Sequence, residues 1–576
     1  MISDIYDPLT EYANVFRDRF DKVAQDTFAE LVSESGIDIA ANRETCRQLH
    51  SVEKDVSATG GRIDRWKALC IFLWLLVAAS IVAILVWSRE FEPWAIASLA
   101  VLAISLVAVL LANVHPALKE FKGRKEQLEA EAKKLETDAW NQMAPLNSLY
   151  DWDVLTRMMT RTVPRLEFDP YFTTQRLADL KATYGWDDSF NADRSVIYSH
   201  SGLINGNPFV ICRTRKMRMG RRTYTGSITI YWTTHEVGSD GKYHTVSHSQ
   251  ALTATVTAPF PEYSEKTRLI YGSTAAPDLV FSRRHSGLAD REHSASYRME
   301  LRSLRRKARN LKTSDFAMMT NEEFEVAFNT SDRNNNQQFA LLFTPLAQES
   351  MLKLLKDHKE GYGDDFDFIK NKMVNMVIAD HMQSMDLDMD PGQYRNYEYD
   401  KAKADFLKIN ARCFRAIYFC LAPLLCVPMY QQIRPQSAIY GHDMMRRSAF
   451  WEHEALANYW GQGHFRHPDC VTDCILKTRE QEDADGNRYV AVSAHGFRVE
   501  KRVTYIGRFG GDGRWHNVPV YWDEYLPVTG EGRMAIMEDN DFNDSHATQT
   551  ERIEHIDEML ESTRMTLYRR HIASKI

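Results

Sequence analysis

Residues 68–114 read ALCIFLWLLVAASIVAILVW, SREFEP and WAIASLAVLAISLVAVLLANV, in that order. Each of the two apolar runs is uncharged and has about 20 residues, the length that an α-helix needs to cross roughly 30 Å of hydrocarbon. Trp66, Trp87 and Trp94 lie near the ends of the runs, where aromatic side chains are enriched at membrane interfaces. The alternative is a pair of buried core helices in a soluble protein. The pattern favours a transmembrane hairpin over residues 67–115.

The distribution of cations around this hairpin predicts its orientation. The flanking cations are Arg62, Arg65 and Lys67 before it and Lys119, Lys122, Arg124 and Lys125 after it. The connecting turn holds only Arg89, with Glu90 and Glu92. Since cytoplasmic flanks carry the excess of Lys and Arg, we predict a multi-pass protein of the cell membrane with both termini in the cytoplasm.

The composition sets limits on the partners and the compartment. The net charge of −7 over 576 residues makes nucleic acid an unlikely partner, so any basic surface must be local. The N-terminus, MISDIYDPLTEYANVF, has no basic segment before an apolar core, which a signal peptide requires. Eight scattered cysteines fit reduced cytoplasmic thiols better than a disulfide framework: Cys46, Cys70, Cys212, Cys413, Cys420, Cys426, Cys470 and Cys474.

Helical periodicity dominates the segments on either side of the hairpin. Residues 1–66 show apolar side chains at three- and four-residue spacing, which predicts two helices, the second over about residues 39–57. Residues 116–185 are charged and rich in helix formers, so we predict a helical stalk that continues the second span and packs as a coiled coil. The charges fit a solvated helix face. The stalk could bind protein partners or associate with itself.

Residues 186–360 carry the signals of an α+β domain. SVIYSHSGLI and PFVICRTR flank Asn205-Gly206, and two further β-rich runs flank Asp240-Gly241, so antiparallel hairpins are expected. A basic segment lies between them, with six cations: Arg213, Arg215, Lys216, Arg218, Arg221 and Arg222. It could contact anionic lipid or nucleic acid, or it could be a solvated hairpin tip. Lipid is favoured over nucleic acid if the domain lies near the membrane.

Residues 259–300 read as loop-rich, and residues 321–356 read as helix, strand, polar turn, strand and helix. The order of Phe324 and Phe328, Asp332, an apolar strand at 339–343, Thr344-Pro345 and a leucine-rich helix resembles bacterial DUF3137-type proteins. The resemblance covers about residues 1–360 and is most specific near 324–356. It implies a two-span hairpin before a cytoplasmic α+β domain. It implies no activity and no catalytic residues.

The C-terminal part divides into two predicted regions. Residues 361–460 read as helical, with an apolar stretch at 416–430 that is short for a span and interrupted by prolines. We interpret the stretch as a buried core segment or an in-plane membrane contact. Residues 461–576 read as β-rich, with strands on both sides of the GGDG turn at 510–513. An amphipathic helix that could pack on the stalk or self-associate is predicted over residues 547–576.

One short segment has the composition of a metal site. His464, His467, Cys470 and Cys474 follow the spacing H-x2-H-x2-C-x3-C, and zinc binds imidazole nitrogen and thiolate sulfur. His442, His453 or Cys426 could replace one ligand. The alternative is a set of partly buried side chains at the start of a helix. Zinc is therefore the one cofactor that the sequence suggests.

The fold class that these signals predict is α+β, with a transmembrane hairpin, a helical stalk, a cytoplasmic antiparallel-sheet domain and a smaller β-rich C-terminal region. The chain has no phosphate-binding loop, H-E-x-x-H or G-x-S-x-G motif, so an enzyme is not favoured. The leading hypothesis is a membrane-anchored scaffold or interaction protein that contacts the lipid bilayer. The alternatives are a zinc-binding module or metal-dependent enzyme around residues 464–474, and an accessory subunit of a transport or secretion complex.

Overall fold

The computed structural model describes residues 5–87, 93–237, 242–292, 294–309, 316–431, 447–482, 488–538, 565–569 and 571–575. The chain mixes helix and sheet, with 50% helical and 30% strand residues. It divides into two compact units. The helical unit comprises Ala24–Asp151 and Pro391–Ile409, and the sheet unit comprises Met1–Val23, Trp152–Asp390 and Asn410–Ile576.

The α-helices span both N- and C-terminal parts of the chain. They are α1 (Pro8–Glu11), α2 (Arg17–Ser35), α3 (Ile39–Trp87), α4 (Pro93–Val109), α5 (His115–Ser148), α6 (Val154–Thr162), α7 (Thr174–Tyr184), α8 (Ala295–Arg309), α9 (Glu322–Phe328), α10 (Asn336–Leu342), α11 (Pro345–Lys356), α12 (Tyr399–Leu425) and α13 (Phe450–Trp460). Two π-helical turns, Tyr12–Phe16 and Leu110–Val114, join α1 to α2 and α4 to α5.

The strands form two antiparallel sheets. They are β1 (Leu166–Phe168), β2 (Arg194–Ile204), β3 (Asn207–Val237), β4 (Tyr243–Gly272), β5 (Val280–Arg283), β6 (Phe366–Asn371), β7 (Val374–Ala379), β8 (Ile475–Glu482), β9 (Arg488–Phe509), β10 (Trp515–Glu538), β11 (Met565–Tyr568) and β12 (His571–Lys575). The seven-stranded sheet has the order β1-β2-β3-β4-β7-β6-β5, and the five-stranded sheet has the order β11-β12-β10-β9-β8.

Two helices of the helical unit are long and apolar enough to cross a membrane, by length and composition. They cover Ile39–Leu85 and Ala97–Ser148, and 11% of the most apolar window of each is buried. Ile71, Leu85 and Ile104 are 62%, 72% and 69% exposed. A core helix of a soluble protein buries its apolar side chains against the rest of the chain. The exposure therefore does not match the alternative of two soluble core helices.

Helix α3 runs without a break through Gly60-Gly61, where the sequence predicted that a separate helix ends. Glycine in a helix interior costs about 1 kcal/mol relative to alanine. Packing offsets this cost, because Ile63 and Val77 of α3 form one buried cluster with Leu110 and Leu118 on the returning helix. The charged segment after the second apolar run is helical in α5, from His115 to Ser148, whereas the rest of the predicted stalk, to residue 185, forms α6, β1 and α7 of the sheet unit.

The core of the sheet unit lies between its two sheets. Helix α13 contributes Trp451, which is 1% exposed and packs edge-on against Phe172 with ring centroids 5.3 Å apart. The same cluster includes Val210 of the first sheet and Leu476 and Met534 of the second. The apolar stretch at 416–430 also belongs to the protein interior, since every residue from 416 to 427 is buried.

The structure corrects several sequence-based assignments. The segment predicted as a strand at 339–343 forms the end of α10 and its C-cap residue, because Asn335 caps the helix at the Gln338 amide and Phe339 packs on Phe343 one turn later. Part of the region predicted as loop-rich at 259–300 belongs to β4, which continues to Gly272. Strands β6 and β7 lie in the region predicted to be helical.

The C-terminal helix predicted over residues 547–576 is wrong at its end, where residues 565–568 and 571–575 are strands. Strand β12 pairs with the end of β10, from Met534↔Lys575 to Glu538↔His571, so sheet pairing overrides the helical periodicity there. The rest of that predicted helix lies outside the described residues, as does His442.

Candidate functional site: the paired β-ribbons

Two long antiparallel hairpins dominate the sheet unit. In the long ribbon, formed by β3 and β4, one ladder runs without a shift from Phe209↔Tyr271 to Val237↔Tyr243. Strand β2 pairs with β3 only as far as Lys216. Beyond that register the long ribbon is two strands wide. The short ribbon, formed by β9 and β10, is likewise two strands wide beyond its pairing with β8, which ends at His495.

The two ribbons pack face to face. Ile230, Leu252 and Ala254 of the long ribbon form a buried cluster with Val518 and Val520 of the short ribbon. The alternation of the strands places every second side chain in this interface. The turn of the short ribbon also joins the contact, because the Gly511 amide donates to Oε1 of Gln250 at 2.7 Å.

A glycine permits the closest approach of the ribbons. A Cβ atom at Gly226 of the long ribbon would lie 2.1 Å from the Pro519 carbonyl oxygen and 3.0 Å from the Val520 Cα. Such distances are far inside van der Waals contact, so only glycine fits this position without moving backbone.

The outer face of the short ribbon carries an exposed apolar surface. We call it the aromatic strip and define it by Val503, Tyr505, Phe509, Trp515 and Tyr521. The register pairs Phe509 with Trp515 and Val503 with Tyr521, which puts these side chains on one face. Trp515, Tyr521 and Tyr505 are 74%, 69% and 64% exposed. The strip ends at the ion pair between Lys501 and Asp523, whose Nζ and Oδ1 atoms are 2.6 Å apart.

The outer face of the long ribbon has a different chemistry. Most of its exposed side chains between residues 223 and 257 are hydroxyl-bearing: Thr223, Thr225, Ser227, Thr229, Thr233, Thr245, Ser247, Ser249, Thr253, Thr255 and Thr257. The large apolar side chains of this face are Tyr231 in its middle, at 78% exposed, and the terminal pair Val237 and Tyr243, at 61% and 78%. The short ribbon therefore carries the larger cluster of exposed aromatic side chains.

Sequence reasoning missed the aromatic strip as a site. The sequence predicted strands on both sides of the GGDG turn, but both faces of β9 and β10 carry apolar side chains, such as Tyr505 on one face and Ile506 on the other. The sequence therefore contains the strip and does not reveal which face is covered. The long ribbon, which is distant in sequence, decides that.

The predicted basic segment lies within β3, not at a hairpin tip. Four of its six cations face carboxylates: Arg213 and Arg215 lie near Glu265, Lys216 near Asp193, and Arg218 near Glu262. The guanidinium carbon of Arg222 lies 3.5 Å from the centroid of the Phe260 ring. Among the described residues, no ion pair joins Arg221. Contact with anionic lipid stays a prediction, and the neutralised cations contribute little to it.

The structure brings together only part of the predicted zinc set. The Cys470 and Cys474 sulfur atoms are 3.6 Å apart, and both side chains are buried. His464 packs against Trp460, and Nδ1 of His467 accepts the Asp469 amide. In the part of the chain that is described, no three His, Cys, Asp or Glu side chains are grouped to hold a metal ion. All eight cysteines are free thiols.

We expect Cys474 to resist alkylation by iodoacetamide at pH 8. Burial, reinforced by the adjacent Cys470 thiol, raises the pKa of Cys474 to about 12, so the reactive thiolate is scarce. Mass spectrometry of the native full chain should find this thiol unmodified, and the denatured chain provides the positive control. A strong chelator should leave the rate unchanged. Faster alkylation after chelation would instead indicate a bound metal ion at these sulfurs.

A cluster of ionisable side chains is buried in the core of the sheet unit. Oε1 of Glu452 accepts hydrogen bonds from the Ser199 hydroxyl and from the Arg569 guanidinium, each at 3.0 Å. Arg569 also contacts the ring of His200. Burial, together with the positive charge of Arg569, holds the pKa of His200 well below its usual range. Glu452, His200 and Arg569 are 1%, 6% and 7% exposed. The cluster therefore joins α13 to β2 and the C-terminal strands.

A separate cavity of about 310 Å³ lies beside the end of β4. Its lining is formed by Asn207, residues 273–277, Gln338, Leu341 and Met429. None of these described lining residues has an ionisable side chain. This cavity therefore contributes no acid or base of its own.

Comparison with known proteins adds no relative. No family model matches the chain, and no curated protein or solved structure matches it. The fold and the ribbons thus define the class directly: a mixed helix-and-sheet protein with two long apolar helices and a pair of packed β-ribbons. The resemblance to DUF3137-type proteins stays a prediction.

Proposed function

We propose that the protein is a membrane-anchored interaction protein, a scaffold that presents its paired β-ribbons to a protein partner on the cytoplasmic side. The observation that carries this proposal is the aromatic strip. An exposed contiguous apolar patch on a soluble domain marks an interaction site, because uncovered apolar surface is costly in water. Tyr and Trp are also the side chains most enriched at the centres of protein interfaces.

The apolar helices support the anchoring part of the proposal. Their outward side chains, such as Ile71 and Ile104, need an apolar solvent, and lipid supplies it. The cations at both outer ends favour cytoplasmic placement of the termini. The sheet unit, most of which follows the hairpin in the chain, then lies in the cytoplasm, where free thiols persist.

The buried ionisable cluster favours a scaffold over an enzyme. A catalytic acid or base must reach its substrate within hydrogen-bond distance. Glu452 and His200 are instead enclosed and hydrogen-bonded inside the core. Their contacts serve to attach the C-terminal strands to the rest of the sheet unit.

We expect a double variant, Leu75→Lys with Ile104→Lys, to insert poorly into membranes. Both side chains are more than 60% exposed on the apolar helices, and a charge near the centre of a span costs about 2.5–3.5 kcal/mol on insertion scales. Carbonate extraction of isolated membranes measures the embedded fraction. Leu69→Lys is the matched control, since a lysine near the end of a span can reach the interface. Equal retention of the double variant and the wild type would contradict the transmembrane assignment.

Proximity labelling in intact cells tests the interaction function. A labelling enzyme is fused to the N-terminus of the full chain, and the wild type is compared with a Trp515→Ser, Tyr521→Ser variant. We expect a defined set of neighbours that the variant loses. Tyr231→Ser, which alters an equally exposed tyrosine on the long ribbon, should retain them. Identical neighbours for all three proteins would contradict the proposal.

A further inference from the structure

The aromatic strip is large enough to form an interface by itself. Its four aromatic side chains are 58–74% exposed, and each has about 150–250 Å² of surface, so the strip offers on the order of 500 Å². Two such strips in contact would bury roughly 1,000 Å², which is the lower limit for a specific protein interface.

The chemistry of the strip favours an apolar partner. Its cross-strand pairs, Phe509 with Trp515 and Val503 with Tyr521, are uncharged, and the Lys501 ammonium at its end is already paired with Asp523. Faces that lie on anionic membranes mix aromatic side chains with available cations. Arg508 and Arg514 are exposed beside the turn end of the strip but lie outside its cross-strand pairs, so an acidic or basic protein surface would find no complementary charge within the strip itself. A second uncharged aromatic face is the best match.

The length of the strip also favours a second aromatic face as its partner. It extends along β9 from Val503 to Phe509, which is about 20 Å at the usual rise per residue. Insertion of the ribbon end into a membrane interface would cover only about 5–10 Å of this length. A second ribbon stacked face to face would cover all of it.

We propose that two copies of the chain dimerise by stacking their aromatic strips about a two-fold axis. In this arrangement the Trp515 end of one strip packs on the Tyr521 end of the other, and Asn517, near the middle, lies close to the axis and to its counterpart. Anchoring both copies in one membrane raises their effective concentration and so strengthens a modest interface. The inference rests on the proposed function and names the first partner of the strip.

The dimer can be measured on the detergent-solubilised full chain. Mass photometry over a dilution series should show wild-type dimers, and the Trp515→Ser, Tyr521→Ser variant should raise the dissociation constant at least about 30-fold, as loss of central aromatic anchors does. Tyr231→Ser should dimerise like the wild type. A monomeric wild type at micromolar concentration, or undiminished dimers in the double variant, would overturn the proposal. Because the altered side chains are exposed, circular dichroism should show unchanged folding.

Cross-linking in membranes provides the second readout. An Asn517→Cys variant, treated with a bismaleimide that spans about 10 Å, the spacing of stacked sheets, should yield covalent dimers above the wild-type background. Ser227→Cys, on the outer face of the long ribbon, should not. No excess cross-linking at position 517 would contradict the stacked arrangement. If the chain is monomeric but the strip variant still loses its labelled neighbours, the dimer fails and the scaffold function stands.

Discussion

We expect the Glu452→Ala variant to lose about 3–5 kcal/mol of unfolding free energy, the usual effect of removing one member of a buried ion pair. The carboxylate accepts the Phe172 amide, the Ser199 hydroxyl and the Arg569 guanidinium. Without it, the Arg569 charge stays buried against the rings of His200 and Tyr568, with Asp153 and Asp388 as its remaining carboxylate neighbours. Hydrogen exchange of residues 565–575 should report the earliest loss of structure.

Two further variants separate this charge effect from a general packing defect. Glu524→Ala removes an exposed partner of Arg502 and should cost at most about 1 kcal/mol. A Glu452→Leu, Arg569→Met double variant removes both buried charges and should recover most of the lost stability. Chemical denaturation measures all three. A Glu452→Ala protein within about 1 kcal/mol of the wild type would show that the ion pair does not hold the C-terminal strands.

The second large loss of unfolding free energy is expected at Gly226, where the two ribbons approach most closely. Gly226→Ala puts a Cβ atom where the structure has the Pro519 carbonyl oxygen 2.1 Å away. Since both neighbours are backbone, the ribbons must move apart, and we expect a loss of about 3 kcal/mol, the upper range for overpacking. Trypsin should then cleave the short ribbon faster, because strands that lose the cover over Val518 and Val520 open more often.

The matched control is Gly507→Ala on the outer face of the short ribbon. Its Cβ atom would lie 3.4 Å from the Trp515 ring, which is ordinary contact. We expect this variant to unfold like the wild type. If Gly226→Ala were equally harmless in denaturation and proteolysis, the two ribbons would not be packed as described.

Local sequence signals predicted the turns and helix caps, because a few neighbouring residues determine their conformation. Asn205 and Gly206 both have positive φ, as the tight turn between β2 and β3 requires. Thr344 caps α11, and Pro345 occupies its first turn. The candidate zinc ligands were also identifiable by residue type, although only the two cysteines lie close together.

Long-range packing decided the features that sequence patterns missed. The sequence does not reveal that β3 continues for 31 residues, because its cations suggested a turn and the carboxylates that pair with them lie on β4. Strand β12 forms because the end of β10 needs a partner, despite local helical periodicity. The aromatic strip is an interaction candidate only because the long ribbon covers the opposite face.

The accessibility of the aromatic strip in native membranes shows whether a partner covers it. An Asn517→Cys variant is labelled with a polar maleimide, first in intact membranes and then after dilution in detergent, with Tyr231→Cys as the reference. We expect at least about 10-fold slower labelling of position 517 in membranes than in detergent, since a bound partner excludes water from the centre of its interface. Position 231 should label equally fast in both conditions. Equal rates for position 517 in both conditions would show that nothing covers the strip, and would contradict its role as an interaction surface.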